Sequence, residues 1–94
     1  MAIRALLIHP DDHVAVVTED VAVGDAVLAE SSSGSIEITA TMEILAGHKI
    51  AARAVATGEP VLKYSEKIGL AIQDIAVGDH VHMHNLASDR VKVD

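Results

Sequence analysis

Residues 74–81 read DIAVGDHV, and the same cadence occurs twice more, as DVAVGDAV over residues 20–27 and as AVATGEPV over residues 54–61. Each copy sets an apolar residue, an alanine and a spacer before a glycine, then an acid, a variable residue and a valine. Glycine admits the backbone angles of a tight turn, the acid accepts from nearby amides, and the valine opens a new extended run. The three copies therefore read as equivalent corners that feed strands. Their starts lie 34 and 20 residues apart, too uneven for a solenoid of fixed period.

Around these corners, eight short runs have β-type composition: residues 3–8, 14–18, 26–28, 36–39, 49–53, 61–64, 68–72 and 80–84. So many short strands in one small chain predict an all-β, barrel-like clip over residues 1–94, with no room for a βαβ arrangement. One or two helical turns are expected at most, over 40–46 (ATMEILA). The serine-rich stretch 30–35 (ESSSGS) reads as a mobile surface loop.

Half of the 94 residues are hydrophobic, but there is no Phe, no Trp and a single Tyr64. Small aliphatic side chains suit a thin layered β structure, and a domain this size has little core to spare. Burial against another copy or a different chain is expected. The charge of −7, from 14 acidic and 7 basic residues without a Lys/Arg run, excludes a nucleic-acid backbone as partner. Six histidines would carry that charge to −1 on acidification, so association should respond to pH between about 5 and 7.

The absence of cysteine rules out disulfides, thiolate metal sites and a cysteine nucleophile, and it fits a reducing cytoplasm. The apolar run before Pro10-Asp11-Asp12 falls far short of the roughly 18 residues a membrane span needs. No signal-peptide cleavage region follows it. A soluble chain that is not exported is the expectation.

Three groups could carry chemistry. In GDHVHMHNL, residues 78–86, histidines 80, 82 and 84 alternate, so an extended strand would put three imidazoles on one side and Val81 with Met83 on the other. Positions i and i+2 are about 6.6 Å apart along a strand, and imidazole nitrogens suit Fe, Zn, Ni or Cu. The plainer reading is a two-faced strand whose rings hydrogen-bond along an edge. In IHPDDHV, residues 8–14, His9 should end a strand while Asp11 and Asp12 occupy a turn before His13.

In AGHKIAAR, residues 46–53, an extended backbone would place Lys49 and Arg53 on one face and His48 on the other. Two cations so placed either clamp an anion or are ordinary solvated charges. Lys63 and Tyr64 extend the same choice.

Taken in order, HPDDHV, AGHKIA and GEPVLKYSEKIGLAIQDIAVGDHVHMHN resemble the SAF-type β-clip domain that opens altronate and galactarate dehydratases of the UxaA family. In the sulfolactate sulfo-lyase the same kind of domain is a separate small subunit. The resemblance runs from about residue 5 to 86 and is densest from Gly47 to Asn85, with departures at Ser65, where the family has Gly, and Ile72, where it has Thr. It implies a part of a sugar-acid hydro-lyase or of a sulfo-lyase, inactive on its own and completed by a larger catalytic subunit that closes over a small anionic sugar acid.

By motif position, the resemblance implies catalytic roles for His48, His82 and His84 and substrate contacts from Lys49 and Asn85, with Lys63 and Tyr64 ranked behind them. His80 falls where the family varies and is ranked lower. The cofactor implied is a divalent metal such as iron, held mainly by the larger subunit, with His82 and His84 as this chain's candidate ligands. A stand-alone metal- or ligand-binding β module, and an assembly or antifreeze-like SAF domain, are the competing classes.

Overall fold

The computed structural model describes residues 2–9, 11–63, 66–82 and 84–87. Nine strands follow in order: β1 (Ile3–Leu6), β2 (Val14–Val17), β3 (Ala26–Ser31), β4 (Gly34–Thr39), β5 (Lys49–Ala51), β6 (Pro60–Lys63), β7 (Glu66–Ala71), β8 (His80–Val81) and β9 (Leu86–Ala87). They form a six-stranded sheet in the order β4-β3-β1-β2-β5-β8 and a three-stranded sheet in the order β6-β7-β9. Among the described strands, β1 and β3 pair in parallel and the rest antiparallel. The described residues hold no helix, so none is long and apolar enough to cross a membrane. The all-β expectation holds.

The recurring corner explains this topology, and the described residues contain four of them. Gly24, Gly58 and Gly78 sit at φ of 90°, 89° and 96°, and Gly47 joins them at 86°. In each, the residue after glycine donates its amide to the carbonyl three residues before it: Asp25 to Ala22, His48 to Leu45, Glu59 to Ala56 and Asp79 to Ala76, all at 3.0 Å. The corners interlock in pairs through isolated bridges, Val21 with Ile44 and Val55 with Ile75. A carboxylate ahead of one corner caps its mate in both pairs: Asp20 accepts from the amide of Ala46 and Asp74 from that of Thr57, each at 2.9 Å.

Residues 40–46 are therefore not helical. Ile44 is fully buried and bridges to Val21, and that tertiary pairing overrides the local helix propensity. The serine-rich stretch is a hairpin instead of a loop. Ser31 ends β3, Gly34 begins β4, and the Ser31 hydroxyl donates to the Gly34 carbonyl while accepting from the Ser33 amide.

Small branched side chains fill two cores. Leu7, Val17, Val27, Ile38, Ile44 and Ile50 belong to the first, while Val14, Ala51, Val55, Val61, Ile75 and Val81 belong to the second. Strand β5 serves both, because alternation sends Ile50 one way and Ala51 the other. His13 ties β2 and β5 to β6. Its amide donates to the Leu62 carbonyl at 2.9 Å, its Nδ1 accepts from the Leu62 amide at 2.8 Å, and its carbonyl accepts from Ala52 at 2.7 Å.

The Gly78 corner is pressed against the end of β4. A Cβ on Gly78 would lie 2.1 Å from the Thr39 carbonyl oxygen, so only glycine permits this approach, quite apart from its φ. Thr41 seals the contact by donating its amide to the Gly78 carbonyl and its hydroxyl to Asp79. That fixes where β8 starts.

Candidate functional site

Strand β8 runs antiparallel to β5 with Lys49 opposite Val81 and Ile50 opposite His80, so the next pair outward is His48 with His82. Their ring centroids are 5.0 Å apart. His80 completes the group: its ring lies 5.1 Å from that of His48 and stacks on that of His82 at 5.5 Å with an interplanar angle of 13°. The nearest atoms are His48 Nδ1 and His80 Nε2, 3.0 Å apart, one donating and the other accepting according to tautomer. Nitrogens of His48, His80 and His82 all fall within 4.8 Å of one another.

His48 reaches this place because its corner lacks an acid. In the other three corners the acid accepts from the amide three residues earlier, Asp25 from Ala22 and Asp79 from Ala76 at 2.9 Å and Glu59 from Ala56 at 3.3 Å. His48 occupies that position in the remaining corner, and its ring nitrogen turns to β8 instead. A carboxylate cap has been exchanged for an imidazole.

The triple histidine is not one strand. Strand β8 ends at Val81, and the chain then turns, with the amides of Asn85 and Leu86 donating to the His82 carbonyl at 3.0 and 2.9 Å. Asn85 causes the turn. Its side chain is buried, its Oδ1 accepts from the His82 amide at 3.0 Å and its Nδ2 donates to the His80 carbonyl at 2.8 Å. An amide side chain is required here, since one partner is a donor and the other an acceptor. Asn85 thus braces His80 and His82 from behind, and the Ile72 amide donates to its carbonyl at 2.9 Å.

His84 stands at the outer side of the group, its ring 5.4 Å from that of His80, and its carbonyl accepts from Gln73 Nε2. The three-donor cluster takes in His80 rather than His84 beside His82. Lys49 is half-buried, and its pKa is lowered by burial first and by the Lys63 ammonium second. The His80 pKa is also lowered, by burial above all and then by His48, His84, His82 and Lys49. In a chain of net charge −7, this rim concentrates groups that favour an anion.

Not every expected residue belongs to it. Strand β5 stops at Ala51, and the exposed Arg53 approaches Asp11 at 4.0 Å, so Arg53 does not share a strand face with Lys49. His9 lies in the turn around Asp11 and Asp12, where its Nδ1 accepts from the Asp11 amide at 3.1 Å. Tyr64 lies outside the described residues. The family resemblance ranks His80 behind the others, yet its ring lies 5.1–5.5 Å from all three of the other clustered rings. The sequence signal for this arrangement is the Gly47 corner, which repeats the other three with histidine in place of the acid.

Residues 3–89 match the family of the altronate/galactarate dehydratase SAF domain. Among curated relatives, altronate dehydratase of Escherichia coli K12 is 38% identical over 87 residues, 93% of this chain but 17% of that protein. The (2R)-sulfolactate sulfo-lyase subunit alpha of Paracoccus pantotrophus is 42% identical over 60 residues, 64% of this chain and 90% of that subunit. The subunit of the same name from Chromohalobacter salexigens is 37% identical over 95 residues, 96% of this chain and 99% of that subunit. The chain is thus similar to a small fraction of one kind of lyase and to nearly the whole of a subunit of another. With its four interlocked corners and its all-strand fold, it is a member of the altronate/galactarate dehydratase SAF domain family.

Proposed function

We propose that the chain is the small component of a lyase that eliminates a β-substituent from a small anionic hydroxy acid, working with a larger catalytic subunit. The observation that carries this reading is the rim on which His48, His80, His82 and His84 converge through the β5–β8 register, with the Lys49 charge near enough to act on His80. Elimination beside a carboxylate needs a cation to hold the carboxylate, a base for the α-proton and an acid for the leaving group. Lys49, with Lys63 behind it, supplies the positive charge. His48, His82 and His84 are the groups that accept and return protons. Asn85 positions His80 and His82, and Tyr64 is a second-rank contact to the acid.

A divalent metal such as iron, bound in the complex, would supply Lewis-acid polarisation of the substrate's oxygens. The residues of this chain orient the acid and move protons. Because the rim is open, the larger subunit has to close it and exclude water. The cysteine-free composition makes a reducing, cytoplasmic setting part of the proposal.

A sugar-acid hydro-lyase is the first reading, in which water leaves. A sulfolactate sulfo-lyase is the second, in which sulfite leaves, and the near-complete coverage of the subunit alpha relatives favours it. Co-expression with a larger subunit, followed by assays of altronate, galactarate and (2R)-sulfolactate for keto-acid or sulfite release, separates the two. Turnover by the complex and none by the chain alone is expected. Full-rate turnover by the isolated chain would refute the division of labour.

A further inference from the structure

We infer that His48, His80 and His82 form a transition-metal site belonging to this chain itself, which when filled would leave His84, rather than His48 or His82, as the free imidazole for proton transfer. Three imidazoles converge from β8 and from the residues just outside the facing ends of β5 and β8, and their donor nitrogens already lie within 4.8 Å of one another. Metal–imidazole bonds of about 2.0–2.1 Å require donors about 3.0–3.4 Å apart. His48 Nδ1 and His80 Nε2 meet that spacing at 3.0 Å. The remaining nitrogen, on His82, lies within 4.8 Å of both, so a shift of about 1.5 Å would complete the set.

The supporting shell fits as well. A metal site is precise when its ligands are held by second contacts. Here the His80 carbonyl and the His82 amide are both held by Asn85, and the His48 backbone is fixed by the Gly47 corner. Three nitrogen donors without a thiolate suit Zn, Co, Ni, Cu or Fe(II) and disfavour Mg and Ca. Three protein ligands also leave coordination positions open, as catalytic sites do. The open positions can accept a carboxylate, so the ion and a carboxylate should bind together.

The full chain, freed of metal by chelation, is titrated with Co(II) and Zn(II) and followed by Co(II) absorption and calorimetry. One ion per chain is expected, with affinity reduced at least 100-fold in His80→Ala, less than threefold in His9→Ala, and raised by added carboxylate. No stoichiometric uptake by the unsubstituted chain would overturn the inference. So would unchanged uptake in a folded His80→Ala.

Should His80→Ala fail to fold, paramagnetic broadening by Co(II) in the unsubstituted chain decides. Broadening centred on the rings of His48, His80 and His82 upholds the site, and broadening centred on His9 or His13 refutes it. Because these measurements involve this chain alone, their failure would leave the elimination reading standing.

Discussion

Replacing Asn85 by alanine tests the brace behind the imidazoles. The substitution removes two side-chain hydrogen bonds, at 3.0 Å from the His82 amide and 2.8 Å to the His80 carbonyl, at a residue only 1% exposed. Each partner left without a mate costs about 1–3 kcal/mol when buried. Both sites are only part-buried, so the lower half of that range applies and the expected loss is about 2–4 kcal/mol. A domain of this length has a total stability of about 5–14 kcal/mol, so the variant should remain folded with a clearly lowered urea midpoint and an unchanged slope. In the same variant the His80–His82 stack should loosen, which nuclear Overhauser contacts between the two rings would register. A loss below about 0.5 kcal/mol, or a stack that survives, would refute the bracing role.

Other substitutions address the corners and the rim. Gly24→Ala meets no neighbour and should cost about 1–2 kcal/mol for its positive φ alone. Gly78→Ala adds a collision with the Thr39 carbonyl and should cost about 1–3 kcal/mol more, measured by parallel denaturant titrations. His48→Asp offers the Leu45 amide the acceptor that the other corners possess. It should stabilise the chain by about 0.5–1.5 kcal/mol while abolishing activity of the reconstituted complex.

The Asp74 pKa is lowered by hydrogen bonds from the Thr57 amide and hydroxyl, so its contribution is present above the ordinary value of 3.8 and disappears as pH falls through its lower folded value. The stability gap between the unsubstituted chain and Asp74→Asn should therefore be flat at neutral pH and shrink below 3.8 in chemical denaturation run across pH.

Where residues act locally, the sequence disclosed them. The Gly-acid corners at 24, 58 and 78 carry their own capping acids, and the strands they feed could be placed from composition. The corner at Gly47 was concealed because histidine stands where the acid should be, and the same substitution makes the site. Alternation in 80–84 implied a single strand, but the chain turns back after Val81, where the amides of Asn85 and Leu86 donate to the His82 carbonyl and the Asn85 side chain accepts from the His82 amide. The central place of His80 depends on the β5–β8 register, which no local pattern encodes. The serine-rich hairpin looked like a loop because its hydroxyls bond within the turn, a use of serine that composition does not distinguish from disorder.

The most direct test of the shared-rim account is kcat of the reconstituted two-subunit lyase with His82→Gln in this chain, compared with the unsubstituted complex at saturating acid. Loss of this imidazole, as a proton carrier or as a ligand of the ion, predicts a fall of about 10²–10⁴ with assembly of the two subunits intact. A complex that assembles normally and retains kcat within twofold would contradict the claim that these imidazoles serve the chemistry.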